Sequence, residues 1–458
     1  MKFTELTISN PNDLIFGVAP KPVKTKRGLL IGGGLVYPEL NFTLPPVEVS
    51  KNNLAEVRTH YSDIVTGALT RAVELNSEGL ILEFETVVEM TLTPDIGVEL
   101  VRVMNDICEN FYAREGLKSE IRLTPNDLRD FDRPPRQRTS KYLDPMMELF
   151  ERGALAGGDL LSIESTGGKE LSDDALMMCD IRQFIFTQAI LGVRDMQMLW
   201  SKIVALANKL DKIPGGDTAC AFGNTAMVLA EKKFIPKVFA AIARVATVTR
   251  SLVAYEQGAR GPNKDCGYEG PYLKAIAGIP ISMEGKTAAC AHFSPVGNIT
   301  AACADLWSNE SVQNIKLLAG MAPTVSYEQL EYETRLMNAA TKQGKASARV
   351  LKSLYIDSDI FHDPQAFVLA PENVIEIAKE IVSGRNYLES TVKGCIKAIS
   401  MIEIAMAEGR LKDDKKESVW IDKIRQDLES IPSDENQFID EMIPFIDSEK
   451  IILSEYGL

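Results

Sequence analysis

GLILEFE, residues Gly79–Glu85, follows a segment, Asn53–Asn76, in which Ile64, Val65, Leu69, Val73 and Leu75 recur at the spacing of one helix face. An apolar run of that length, bounded by glycine and charge, reads as a buried strand with the preceding helix as its cover. The unit then recurs. A helix over Val98–Arg114 leads to SEIRLTP (Ser119–Pro125), one around Asp144–Leu155 to DLLSIEST (Asp159–Thr166), and one over Asp180–Leu210 to IPGGDTAC (Ile213–Cys220). Further helices near Ala226–Thr247, Pro271–Ala277 and 296–306 are expected to precede strands at SLVAYEQGA (Ser251–Ala259), IPISMEG (Ile279–Gly285) and IKLLAG (Ile315–Gly320). Strands alternating with helices imply a parallel sheet, and their number and spacing suit a closed (β/α)8 TIM-type barrel better than an open doubly wound sheet.

The barrel is expected over residues 53–345. An amino-terminal wrapping arm (1–52) precedes it and a helical carboxy-terminal region (346–458) follows. The arm is rich in proline and glycine, and Gly32–Gly34 read as a turn, because the G-x-G-x-x-G spacing is incomplete and Pro38, Pro45 and Pro46 replace the helix a phosphate loop would need. The tail predicts helices at Asn373–Ser383, Asn386–Ala407 and Glu417–Leu428, with LKDDKKES (Leu411–Ser418) as a solvated turn.

Composition narrows the function. Of 458 residues, 45% are hydrophobic and 25% charged, which excludes a disordered or collagen-like chain. The net charge of −14 argues against a nucleic-acid-binding surface. The best candidate for a membrane span, Phe234–Tyr255, carries Lys237, Arg244 and Arg250, so no membrane-crossing helix is expected. The start, MKFTELTISN, lacks the apolar core of a secretory signal, and a cytoplasmic protein is the expectation. Seven cysteines make an odd and ordinary number, and a disulfide framework is not expected. The only histidines, His60, His292 and His362, lie far apart without an H-E-x-x-H pattern, so a metal would be held by cysteine and carboxylate.

In a barrel the chemistry sits where strands end. Glu164 ends DLLSIEST, Cys220 ends IPGGDTAC, and Cys266 lies in the loop GPNKDCGYEG; the intervals are 220 − 164 = 56 and 266 − 220 = 46 residues. One ligand from each successive unit would converge at the barrel mouth. Two thiolates and a carboxylate match a zinc site with an open fourth position, the mark of catalysis. Buried cysteines are also common as inert small hydrophobes, so spacing alone leaves both readings open. Glu83, Glu85, Asp217 and Glu256 stand near predicted strand ends as candidates to assist, and Lys169 and Lys286 as cations that would balance them. Cys290 and His292 read as packing or support around the site, and Cys108, Cys179, Cys303 and Cys395 as core.

These residues sit in segments that resemble one family. LLSIESTGGKE (Leu160–Glu170), GDTAC with NTAM (Gly216–Met227), RSLVAYEQGARGPNKDCGYEG (Arg250–Gly270), MEGKTAACAH (Met283–His292) and WSNESV (Trp307–Val312) together resemble the zinc-dependent methanol:corrinoid methyltransferases, in order and at about the family's spacing over nearly the whole chain. The resemblance implies zinc held by Glu164, Cys220 and Cys266. It further implies methanol as methyl donor and a corrinoid-carrying partner subunit whose cob(I)alamin accepts the methyl group. A homodimer core within a hetero-oligomer is also expected. Thr166 after Glu164-Ser165 and the amino-terminal arm depart from the family pattern, which leaves an aryl methyl ether or a methylamine as alternative donors. A silent corrinoid-docking scaffold is the remaining reading, against which the three retained ligand positions argue.

Overall fold

Residues 1–42, 47–311, 316–318, 320–412 and 415–458 are described by the computed structural model. Pro45 and Pro46 of the arm, Val312, Ile315, Ala319 and the Asp413-Asp414 pair of the expected solvated turn lie outside the described residues. The hairpin strands β1 (Val18–Lys24) and β2 (Leu30–Gly33) come first. The strands β3 (Tyr37–Phe42), β4 (Leu80–Glu85), β5 (Ser119–Thr124), β6 (Leu160–Ile163), β7 (Ile213–Asp217), β8 (Ser282–Glu284) and β9 (Leu306–Ser311) then form one sheet in the order β7-β6-β5-β4-β3-β9-β8. Every pairing in it is parallel. Helices cross between successive strands, giving the TIM-type architecture expected.

The eighth stave is not a regular strand. Between β7 and β8 the chain at 260–263 bridges the gap: Arg260 N–H donates to the Pro214 carbonyl at 2.8 Å and Gly261 N–H to that of Gly215 at 2.7 Å. On its other side the Asn263 side chain replaces a backbone ladder, with Nδ2 donating to Ser282 O at 3.3 Å and Oδ1 accepting from Ser282 N–H at 3.0 Å.

Three local expectations change. SLVAYEQGA belongs to the helix Val248–Gln257, every residue of which from Val248 to Glu256 is buried. A helix buried on all sides has no amphipathic period, so its apolar run looks like a buried strand. The last stave is Leu306–Ser311 after a short helix at Gly297–Ala301, whereas Lys316–Leu317 and Gly320–Met321, among the described residues, pair with each other outside the main sheet. Tyr37–Phe42, placed in the arm by the sequence, is a central strand between β4 and β9. Both hidden strands carry polar residues because the barrel interior is itself polar: Glu39 and Arg122 pair there at 2.6 Å with both side chains fully buried.

The arm preceding β3 closes the amino-terminal end of the barrel. Val23, Leu29 and Ile31 of the β1–β2 hairpin pack against Tyr37, Ile81, Leu160, Ile213 and Leu306, which lie at the starts of five strands. Burying side chains of this kind contributes about 1.5–3 kcal/mol each and leaves only the opposite end open. The helix Ala322–Gln343 packs on β3, β9 and the helix Leu54–Glu74. The paired helices Pro371–Val382 and Tyr387–Ala407 cover Gly270–Ala277 and Lys237–Ala246. Lys237–Gln257 has the length and apolar character of a membrane span, and its most apolar window lies wholly inside the fold.

Candidate metal and methyl-transfer site

The three sequence-predicted ligands meet at the open end. One ligating atom each of Glu164, Cys220 and Cys266 lie within 4.8 Å of one another. Glu164 follows β6 directly, and Cys220 opens the helix Cys220–Glu231 after β7. A helix amino terminus favours a thiolate over a thiol, and the Cys266 thiol beside it acts in the same direction, yet burial and the charge of Glu164 outweigh both and raise the Cys220 thiol well above its ordinary range. Cys266 follows the irregular stave and donates its Sγ–H to Glu164 Oε1 at 2.8 Å. The Asn224 amide, one turn along the helix, donates to Cys220 Sγ at 3.4 Å. Burial and the adjoining Cys220 sulfur raise the Cys266 thiol well above its ordinary range.

Buried polar clamps hold the loops that carry these ligands. Glu269 Oε1 accepts from Ala219 N–H at 2.8 Å and from Ser251 Oγ–H at 2.5 Å, tying the Cys266 loop to the residue before Cys220. Gly267 must be glycine, since a Cβ there would meet Glu269 Oε2 at 2.3 Å and Thr218 Cβ at 2.5 Å. Behind Glu164, Ser165 N–H and Oγ–H donate to the two Asp217 oxygens at 3.2 and 2.5 Å, and Arg250 Nη2 donates to Ser165 O at 2.8 Å. Burial pushes the Asp217 carboxyl up to about 6, against the opposing pull of Arg250 and these hydrogen bonds. The next residue, Thr166, donates its N–H to Asp127 Oδ2 at 3.0 Å. Asp127 in turn pairs with Arg129 at 2.7 Å, which also holds Asp195 at 2.6 Å, all with fully buried side chains. The carboxy terminus reaches this point too, where Gly168 N–H donates to Tyr456 Oη at 2.9 Å.

The four assisting candidates separate. Glu85 faces the mouth, one-third exposed, with Asn41 Nδ2 donating to its Oε2 at 3.1 Å. Glu83 lies one layer deeper, fully buried, and accepts from Thr124 Oγ at 2.8 Å. Burial raises its carboxyl well above the usual range despite the nearby Lys264. Asp217 reaches the site through Ser165. Glu256 is not brought there: it accepts from Lys2 N–H at 2.8 Å and from Tyr387 Oη–H at 2.5 Å.

The cations also differ from expectation. Lys169 pairs with Asp173, and Lys286 stands 5.5 Å from the centre of the Tyr355 ring. The site's cation is Lys264, two residues before Cys266 and unmarked by any sequence pattern. Glu284, at the end of β8, has a carboxylate oxygen within 4.8 Å of Cys266 Sγ. It accepts a hydrogen bond from Tyr268 and lies 3.5 Å from His292 Nε2, which is also 3.4 Å from Glu310. Burial and the charge of Asp265 push Glu284 up to about 8, while a hydrogen bond to Glu310 leads the rise of His292 to about 9. A cavity of about 180 Å³ opens beside Glu164 and Glu85, lined also by Thr124, Asp127, Asp130 and Phe131.

The architecture and this set of donors define an α/β barrel with a thiolate–carboxylate centre at its carboxyl-terminal mouth. The chain belongs to the family described as methanol-cobalamin methyltransferase B subunit, whose pattern matches residues 1–457. It is 37% identical over 455 residues to the methanol–corrinoid protein co-methyltransferase of Methanosarcina barkeri (strain Fusaro / DSM 804), covering 98% of this chain and 97% of that protein. It also superposes on a solved structure, the methanol:cobalamin methyltransferase complex MtaBC from Methanosarcina barkeri, with a TM-score of 0.95 and 35% identity, over 100% of this chain and 99% of that one.

Proposed function

We propose that this chain cleaves the C–O bond of methanol and passes the methyl group to the cob(I)alamin of a corrinoid-carrying partner subunit, with zinc held by Glu164, Cys220 and Cys266. The observation that carries the reading is the meeting of one carboxylate and two sulfurs within 4.8 Å, from three separate strand–loop junctions, beside a small cavity at the open end of the barrel. The donor set fits the metal: two soft thiolates and one carboxylate are a zinc ligand set with room for a substrate oxygen. When bound, zinc supplies Lewis acidity that draws charge from the methanol oxygen as the C–O bond breaks.

The chain's own residues supply the rest. Asn224 steadies the Cys220 sulfur, and the Asp217–Arg250 and Asp127–Arg129 clamps fix the backbone on which Glu164 rides. The closed amino-terminal end confines approach to the mouth, so the donor methyl faces the partner. The Co–C bond forms with the cobalt electron pair, the C–O bond breaks, and the oxygen leaves with its pair and takes up a proton as water. Two reduced thiols and a cob(I) partner fit a reducing cytoplasm, with a homodimer of this chain at the core of the assembly.

The test is a methyl-transfer assay with the reduced corrinoid protein, comparing methanol, methoxylated aromatics and methylamines, alongside elemental analysis and the mass of the assembly in solution. Methanol-dependent methylcobalamin formation with about one zinc per chain is expected. Transfer from another donor alone, or full activity with far less than one zinc, overturns the corresponding part.

A further inference from the structure

Lys264 is buried, its side chain 2% exposed, and its ammonium stands among four carboxylates: Asp265 at 2.9 Å, Glu164 at 3.1 Å, Glu83 at 3.3 Å and Glu85 at 3.4 Å. An ammonium is a compact point charge with three donors, able to serve acceptors in several directions where the planar arginine fork is not. Taking such a charge out of water is costly unless it is paired. Here it is paired to excess. The atom it meets on Glu164 is Oε1, the same oxygen that receives the Cys266 thiol at 2.8 Å. Lys264 and Cys266 belong to one loop, while Glu164 comes from another. A single short segment therefore presents one sulfur of the site and grips the carboxylate that must stand beside it.

We propose that Lys264 is a positioning residue that turns Glu164 toward the two cysteines and shares its charge, so that the carboxylate is available as a metal ligand. This rests on the zinc reading and deepens it. Without the ammonium, Glu164 would stand beside Glu85 with no buried cation between them. Its carboxylate would swing toward the open cavity, leaving the two sulfurs to hold the metal with water.

Cobalt(II) in place of zinc reports the ligand set by its absorption, independently of methyl transfer. Wild type, Glu164→Gln, Lys264→Met and Lys264→Arg are loaded, their spectra recorded, and metal affinity measured by chelator competition. Wild type should show thiolate-to-cobalt charge transfer, and Glu164→Gln a shifted visible band. Lys264→Met should match Glu164→Gln and bind metal about 10–100-fold more weakly, the range found when groups supporting a ligand are removed. Lys264→Arg should restore the wild-type spectrum only in part. If Lys264→Met does not fold, Lys264→Met/Glu83→Gln, which also neutralises the deepest of the four acids, is read in the same way. A Lys264 variant with the wild-type spectrum and affinity within twofold overturns the proposal. A wild-type protein without thiolate charge transfer, or indistinguishable from Glu164→Gln, overturns the metal reading and the proposal together. That outcome is told apart because it shows before Lys264 is touched.

Discussion

Asp127→Asn is an isosteric change that tests how the fold holds Glu164. Asp127 Oδ1 accepts from Arg129 Nε at 2.8 Å and from Arg129 N–H at 3.2 Å, while Oδ2 accepts from Arg129 Nη2 at 2.7 Å and Thr166 N–H at 3.0 Å. Donors face both oxygens, so whichever way an asparagine amide turns, its NH2 meets other N–H groups. Breaking a buried ion pair from one side costs about 3–5 kcal/mol, and about 3 is expected here because Asp195 still neutralises Arg129. With an unfolding entropy of about 2.1 cal/mol/K per residue, a 458-residue chain carries about 1 kcal/mol/K, so the melting midpoint should fall by about 3 °C. The sign with pH is a second check. Burial alone would raise the Asp127 carboxyl, but Arg129 prevails and holds it below its ordinary 3.8. Its contribution is therefore present above pH 3.8 and lost as pH falls through the lower folded value, so the gap between wild type and variant should narrow only in that acid range. Because Thr166 follows Glu164 by two residues, metal affinity should also drop, by about tenfold. Calorimetry at several pH values and chelator competition measure both. A midpoint within 1 °C of wild type, with metal affinity unchanged, would refute the clamp.

Cys220→Ala should lose bound zinc and Glu164→Gln should hold it more weakly, and each should lose nearly all methyl transfer, measured with free cob(I)alamin as well as with the partner, while circular dichroism shows the barrel intact; near-normal transfer by metal-depleted Cys220→Ala would sink the Lewis-acid role. Glu256→Gln, remote from the mouth, should leave transfer within twofold of wild type, and a loss like that of Glu164→Gln would return Glu256 to the chemistry. His292, raised to about 9 beside Glu310 and Glu284, contributes stability that is full below 6.5 and lost as pH rises through 9; thermal melts from pH 6 to 10 should lose stability less steeply in His292→Gln. Tyr456→Phe removes the acceptor of Gly168 N–H and should cost about 1 kcal/mol without changing zinc content, read from melts and elemental analysis.

Much of this was legible because two of the three ligands end recognisable strand segments. Glu164 and Cys220 close runs whose buried residues read directly as strands, and five of the seven sheet strands fall inside segments read as strands from the sequence. The concealed strands, Tyr37–Phe42 and Leu306–Ser311, put Glu39 and Ser308 into a charged interior, so hydrophobic patterning passes them over; Pro38 argues against a strand as well. Lys264 escaped notice for a related reason. A lysine flanked by Asn263 and Asp265 has the composition of a solvated loop, and only the fold reveals that the loop runs inside the barrel. Glu256 failed in the opposite direction: a helix taken for a strand placed its last carboxylate at a mouth it does not reach.

The irregular eighth stave joins fold to site. In a regular strand, successive side chains alternate between the two faces, so three consecutive residues cannot all serve one interior point. Yet Lys264, Asp265 and Cys266 are 1%, 2% and 3% exposed, and all three contribute to the cluster at the mouth. The bridge at 260–263 permits this by closing the barrel with two backbone hydrogen bonds on one side and one side-chain amide on the other. Freed from the pleat, the chain turns inward and delivers a cation, a carboxylate and a sulfur in succession. A barrel of eight regular strands would have satisfied more backbone groups in its ladder. It would also have pointed one of these three residues at the surrounding helices and left the site a ligand or a counter-charge short.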